Sequence, residues 1–460
     1  MNAKNVNINP CHMCMPMGGV LAFKGIEKSV VVIHGSQGCS TYIRRHIAEH
    51  FNEPVDVGST SLNEKGTVYG GEDNLKKGLE NIIRVYNPKM IGVLTTCLAE
   101  TIGEDIKRMT ETFIKDTGLS HVQIIPVHTA GYSGSHSEGF FSSVRRILEN
   151  TVIPSEPNGK IGLIIPNISP ADIRELKRMM KLFSLPYVVL PDFSDSLDGV
   201  YQKQYLKLSP HGTKIKDIQT MSGLKAIIEF SATLQDDLSP GEYMKKEYGV
   251  PLYRIPLPVG LRFSDQLISV LREISGKKAP KMLLEERGRL LDAMIDAHKH
   301  NAQGKTLLYL EPEQLYATIS LLEENGVGIV LAATGSEYST IAKKEIRQKD
   351  RLFTGADFDL IFKEAEGQDI DFAIGNSDGR VLTEKRGIPL LRRGFPIHDR
   401  MGGGRILSVG YAGSIQLLDS ITNMILDKKL TSYRQQMTEK LLEPLKNGAE
   451  SRGESYGDKI

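Results

Sequence analysis

Short runs of β-branched and apolar residues, each followed by a longer helical pattern, recur along this chain and restart twice. The first set is Val30-Val31-Val32-Ile33, Met90 to Leu94 and Val122 to Ile125, alternating with helical stretches from Glu72 to Tyr86 and from Ile102 to Thr117. Apolar runs of four or five residues without polar alternation suit parallel strands covered on both faces. The turn-rich stretch Pro154-Ser155-Glu156-Pro157-Asn158-Gly159 then reads as a linker. Beyond it come strands at Ile161 to Ile165, Tyr187 to Leu190, Ala226 to Phe230 and Pro251 to Ile255, with a helix from Pro170 to Leu182. A helical pattern from Pro280 to about His300 leads into the third set, Lys305 to Tyr309, Gly328 to Ala332, Phe372 to Gly375 and Ile388 to Leu391. The pattern predicts an α/β chain of three doubly wound domains with parallel sheets, at 1–155, 156–302 and 303–445. A polar tail, 446–460, is expected to be mobile.

Composition narrows the function classes. With 57 basic against 56 acidic side chains, 40% hydrophobic and 25% charged residues, the chain is neither disordered overall nor charged in a way that attracts nucleic acid or an anionic membrane. No run approaches the roughly 18 apolar residues of a membrane span. The start, Met1-Asn2-Ala3-Lys4-Asn5-Val6-Asn7, lacks the apolar core of a secretion signal, so a cytoplasmic protein is expected. No phosphate loop of the form G-x-x-x-x-G-K-S/T occurs, so no nucleotide is expected to bind this chain. Gly402-Gly403-Gly404 follows a turn and reads as a flexible loop.

The four cysteines, Cys11, Cys14, Cys39 and Cys97, all lie in the first hundred residues. That is too few for a disulfide scaffold, and a cytosolic chain keeps them reduced. Cys14 leads Met15-Pro16-Met17-Gly18-Gly19, Cys39 closes His34-Gly35-Ser36-Gln37-Gly38, and Cys97 follows a strand through Thr95-Thr96. Cys39 and Cys97 thus fall beyond the carboxyl ends of strands, where open α/β sheets build their sites. Glycines beside thiolates let backbone N–H groups approach sulfur, and thiolates with few histidines favour iron–sulfur chemistry over catalytic zinc. Cys11-His12-Met13-Cys14 is a lone C-x-x-C pair. A structural zinc would need a second pair, and a dithiol motif would follow a strand rather than precede the first one.

The segments Cys14-Met15-Pro16-Met17-Gly18, His34-Gly35-Ser36-Gln37-Gly38-Cys39, His50-Phe51-Asn52-Glu53-Pro54, Val68-Tyr69-Gly70-Gly71 and Thr95-Thr96-Cys97-Leu98-Ala99-Glu100 together resemble the β-type subunit of the nitrogenase component 1 family. His128-Thr129, Gly134-Ser135-His136, Glu286-Arg287-Gly288 and Gly394-Phe395-Pro396 extend the resemblance to about Asp427. It implies three Rossmann-like domains and an α₂β₂ assembly with an α-type subunit. It further implies an 8Fe–7S or 4Fe–4S cluster shared across the α/β interface, for which Cys14, Cys39 and Cys97 are this chain's ligands. The iron–molybdenum-type cofactor would lie in the partner, and electrons would arrive from a separate ATP-hydrolysing Fe protein. No catalytic residue is expected in this subunit.

By the same resemblance Tyr69 falls at the Fe-protein docking surface, Tyr42 between the two metal sites, and Glu53 near a subunit-interface cation. From the residues alone either tyrosine is a packed amphipathic ring whose hydroxyl finds a local partner. His34 reads as a loop-orienting histidine rather than a ligand. Two features depart from the family. Where its catalytic β subunits carry a serine able to ligate the oxidised cluster, this chain has Gly131, within Ala130-Gly131-Tyr132. Cys11 has no counterpart in the motif. In the C-terminal half, Asp292 to His298, Glu311 to Tyr316, Gly394 to Gly402 and Leu407 to Tyr411 resemble the β-like subunit of the scaffold for iron–molybdenum cofactor biosynthesis. A methylthio-alkane reductase subunit is the third candidate. The three retained cysteines favour the reductase, whose relay needs a complete ligand set.

Overall fold

The computed structural model describes residues 11–119, 121–204 and 206–453. The opening segment and the end of the tail lie outside them. Three parallel sheets follow one another along the chain. The first comprises β1 (Ser29–His34), β2 (Val57–Ser59), β3 (Met90–Thr95) and β4 (Gln123–Val127), in the spatial order β2-β1-β3-β4. The second comprises β5 (Ile161–Ile164), β6 (Tyr187–Leu190), β7 (Ala226–Glu229) and β8 (Leu252–Arg254), ordered β6-β5-β7-β8. The third comprises β9 (Lys305–Tyr309), β10 (Gly328–Thr334), β11 (Leu352–Thr354), β12 (Phe372–Gly375) and β13 (Leu390–Arg392), ordered β11-β10-β9-β12-β13. Every residue of β1 and of β3 is buried, as expected for strands with helices on both faces.

The first sheet is flanked by α1 (Met15–Lys24), α2 (Gln37–Phe51), α3 (Glu64–Tyr69), α4 (Glu72–Tyr86), α5 (Cys97–Thr101), α6 (Ile106–Thr117) and α7 (His136–Thr151). Helix α4 buries Leu75, Leu79 and Ile82, a stripe at helical spacing, while its other face stays polar. Helix α1 is different: nine of its ten residues are buried, because it is wedged between the sheet and α7. The wedge needs glycine. A Cβ on Gly18 would lie 1.8 Å from His136 O, and one on Gly139 2.0 Å from Met15 O, so the two backbones meet where no side chain fits.

Several sequence expectations are corrected. The helix expected over Ile102 to Thr117 starts four residues later, at Ile106, and Ile102 to Asp105 form the turn between α5 and α6. Gly103, at φ +78°, lies in that turn, and the Asp105 side chain accepts the Arg108 N–H at 3.0 Å to start α6. Gly402-Gly403-Gly404 is not a free loop. Gly403 and Gly404 are buried, packed against His50 and Ile397 and against Phe51, and begin a single 3₁₀ turn. From Lys446 to Gly453 the chain continues a helix that spans Gly410–Gly453, since Lys446, Ala449, Glu450 and Arg452 are helix formers that outweigh Gly448 and Ser451. Strands β2 and β11 have three residues each, too few to show a period, and each pairs with one neighbour only.

Polar joints tie the sheet-bearing units together. The Ile397 N–H donates to His50 Nδ1 at 2.8 Å. The ring of His136 meets Glu311 Oε1 at 3.0 Å, and Glu311 also accepts the Phe395 N–H. Asp172 accepts the N–H groups of Ser408 and Val409. No helix among the described residues is long and apolar enough to cross a membrane.

Candidate metal centre

In the first sheet the chain moves outward from β1 to β2 on one side and to β3 on the other, so the carboxyl ends of β1 and β3 flank a topological switch point. Both expected thiols leave from it. Cys39 lies in the first turn of α2 after β1, and Cys97 is the first residue of α5 after β3. The two loops are held edge to edge. The Thr96 N–H donates to His34 O at 3.1 Å, and a Cβ on Gly35 would lie 2.1 Å from Thr96 Oγ1. Cys14 arrives from elsewhere, as the residue that caps the start of α1, and its backbone bridges Ser135 just before α7. The close α1–α7 packing therefore delivers Cys14 to the switch point.

The loop after β4 meets two of the three. Gly131 donates its N–H to Cys97 Sγ at 3.2 Å, and a Cβ built on it would stand 3.3 Å from that sulfur and 3.5 Å from Cys14 Cβ. The sequence marked Gly131 as a missing oxygen; its position shows that a backbone donor faces the sulfur instead. Glu100 braces this loop, accepting from Thr95 Oγ1 and from the ring of His128, both at 2.6 Å. The Thr129 N–H donates to Thr95 Oγ1 at 2.8 Å. On the other side Ser36 Oγ lies 3.7 Å from Cys39 Sγ.

Burial pushes the Cys14 thiol up to about 11, with the charges of Cys39 and Cys97 adding to the rise. Ionised together, thiols this close would repel one another, so a bound cation would favour that form. Two of the thiols sit at the N-termini of α1 and α2, where the helix dipole favours negative charge. Cys97 is exposed and Cys14 and Cys39 half-buried, so this edge of the chain is open. Among the described residues no three His, Cys, Asp or Glu side chains converge on one ion position. That donor set does not fit a single tetrahedral zinc, which needs four convergent ligands. Thiolate donors on an open edge suit iron–sulfur chemistry completed from outside this chain.

The remaining expected residues separate by environment. Tyr42 donates its O–H to Met13 Sδ at 2.9 Å and packs edge-on against His46 at 4.5 Å between centroids. Burial and the nearby Cys14 hold its phenol above the usual range. Tyr69 ends α3 and is 81% exposed, too far out to touch the thiols and well placed for a partner. Glu53 stands half-buried, its carboxyl raised by burial and by Asp198. His34 is buried and orients loops, meeting Glu104 Oε2 at 3.2 Å. His50 belongs to the joint with the third unit, not to the thiol site. Cys11 is buried away from it, donating its S–H to Ala356 O at 3.0 Å, and burial with Asp357 pushes its thiol up to about 12. Sequence reading passed over Met13 and Glu104.

With this geometry in view, the chain compares closely with known proteins. The family model for nitrogenase component 1 type oxidoreductases matches residues 14–426. The nitrogenase molybdenum-iron protein beta chain of Clostridium pasteurianum is 33% identical over 438 residues, covering 92% of this chain and 94% of that one. The same-named chain of Methanococcus maripaludis strain S2 is 32% identical over 441 residues, covering 92% and 95%. A solved structure of nitrogenase Cp1 at pH 6.5 superposes with a TM-score of 0.87 at 33% identity, over 93% of this chain and 95% of that one. A chain of nitrogenase Cp1 at pH 5 shares the fold at 15% identity and a TM-score of 0.69.

Proposed function

The chain belongs to the nitrogenase component 1 family as the β-type subunit of that oxidoreductase, and we propose that its thiol edge holds one half of an electron-relay cluster shared with the α-type partner. Membership implies the partner; the open edge at Cys97 is where the halves would meet. Cys14, Cys39 and Cys97 would hold the cluster, of the 8Fe–7S type. When bound, such a cluster stores and passes electrons one or a few at a time. Gly131 N–H stabilises negative charge on Cys97 sulfur. Met13 and Tyr42 cover the approach to Cys14. Tyr69 offers an aromatic anchor to the ATP-hydrolysing Fe protein. The reduced cofactor, of iron–molybdenum type, belongs to the partner, and the reaction served is nitrogen fixation in a reducing cytoplasm. This chain binds no nucleotide in that scheme.

The observation that carries the proposal is Gly131 in reach of both Cys97 Sγ and Cys14 Cβ at the switch point that also launches Cys39. The relatives are reductase β chains, which favours a reductase over the cofactor-assembly scaffold. The test is anaerobic co-production with the α-type partner. Iron and sulfide should require both chains, and Cys39→Ala or Cys97→Ala should lower iron content and weaken the heteromer, because metal binding and assembly are linked. Supplied with Fe protein, ATP and reductant, the complex should evolve hydrogen continuously. Unchanged iron and assembly in both variants would refute the ligand set. A fully metallated complex that sustains no electron flow, yet hands a cofactor to an apo-reductase, would establish the scaffold instead.

A further inference from the structure

Glu104 lies between α5 and α6, 8% exposed, and each of its two oxygens holds a different part of the first unit. Oε1 accepts the N–H of Gly71, two residues after the exposed Tyr69, at 2.8 Å. Oε2 accepts from Nε2 of His34, the last residue of β1, at 3.2 Å. Among the described residues His34 Nδ1 has no hydrogen-bond partner, so Glu104 sets the orientation of that ring. The His34 carbonyl in turn takes the N–H of Thr96 at 3.1 Å and its hydroxyl at 3.3 Å, immediately before Cys97. From His34 the chain continues through Gly35 and Ser36 into the turn that bears Cys39. A buried carboxylate costs more than an apolar side chain of the same size. What it adds here is a pair of directional bonds joining the Tyr69 loop to the strand end beneath two thiols.

We infer that Glu104 is a positioning residue: it couples the loop carrying Tyr69 to the carboxyl end of β1, so that a partner seated on Tyr69 is felt at the Cys39 and Cys97 loops. The inference rests on the reading of Tyr69 as the Fe-protein surface. The mechanism is a two-bond clamp, with Gly71 on one side and His34 on the other, in a packed site that transmits small shifts rather than absorbing them.

The experiment compares Tyr69→Ala, Glu104→Ala, Glu104→Gln and the Tyr69→Ala/Glu104→Ala double variant in the metal-loaded heteromer with Fe protein and ATP. Each Ala variant should lower electrons delivered per ATP about 5-fold or more, the lower edge of ordinary site-to-site coupling. The double variant should be no worse than the poorer single, since both cut one path. At unchanged iron content, Glu104→Ala alone should also alter the EPR signature of the cluster. Glu104→Gln, whose carbonyl still accepts from Gly71, should recover most of the coupling. Glu104→Leu, which fills the space without the bonds, carries the test if Glu104→Ala does not assemble. Full coupling and an unchanged EPR signal in Glu104→Ala or Glu104→Leu, alongside a loss in Tyr69→Ala, would overturn this inference alone, as would losses that multiply in the double variant. Full coupling in Tyr69→Ala would overturn the docking reading and the inference with it.

Discussion

His50 tests the reading of the structure at a place where sequence and chemistry pull apart. It stands in one of the segments that carry the family resemblance, yet it is a joint. It is 5% exposed, its Nδ1 accepts the Ile397 N–H, and its ring lies against Phe51 and Phe395 at 4.4 and 4.9 Å between centroids. An Nδ1 that accepts cannot be protonated, and burial drives the folded pKa down from 6.5 to about 3. When the joint opens, the ring regains its solvated value, so below pH 6.5 the open form binds a proton that the closed form refuses. Stability at the joint is therefore complete above pH 6.5 and is lost progressively as pH falls toward 3. Between pH 7 and pH 5 the loss is about 2 kcal/mol, at about 1.4 kcal/mol per unit of pKa difference. In His50→Asn the side-chain oxygen can still accept from Ile397, but nothing titrates. Its lost ring packing costs about 1–2 kcal/mol at pH 7. Hydrogen exchange at the Ile397 amide, corrected for the intrinsic rate, gives the opening free energy of each protein. The wild-type advantage should shrink by about 2 kcal/mol from pH 7 to pH 5. A difference between the two proteins that stays constant over that interval would refute the neutral, accepting histidine.

Two further outcomes bear on the thiol edge. Gly131→Ser places a Cβ 3.3 Å from Cys97 Sγ, so the variant should cost about 1 kcal/mol of local strain and bring a hydroxyl to the cluster side. Redox titration should then show a shifted midpoint for the oxidised cluster, and an unchanged midpoint and EPR signal would show that the side chain points elsewhere. Cys11→Ala removes one buried S–H bond to Ala356 and should cost about 1 kcal/mol of stability, with iron content unchanged. A loss of iron as large as that in Cys14→Ala would show that the first ligand is misassigned.

Long buried strands and amphipathic helices were legible because burial writes itself into composition. The strand at Tyr187 to Leu190 and the helices at Glu72 to Tyr86 and Pro170 to Leu182 have the bounds their patterns predict. What stayed hidden depends on contacts across long separations. The start of α6 at Ile106 rather than Ile102 is set by Gly103 at positive φ and by the Asp105 side-chain cap, neither of which an apolar period shows. Gly403 and Gly404 read as a loose run because the aromatic and imidazole rings that bury them lie some 350 residues earlier. The thiols were legible by their glycine neighbours, whereas Glu104 was not, since a lone acid before a helix looks like a cap. Its role appears only when Gly71 and His34 are brought to it.

The geometry also explains why such a chain is built to be half of something. A closed metal site inside one chain would need its thiolates to converge, and here they are spread along one edge: one at the start of α1, one in α2, one at the start of α5. The backbone beneath each is rigid, pinned by glycine contacts under Cys14 and by the Thr96–His34 bond between Cys39 and Cys97. Cys97 is exposed and Cys14 and Cys39 half-buried, so the proposed cluster and a partner's surface would cover them together. Assembly and metal loading are then one equilibrium seen from two sides.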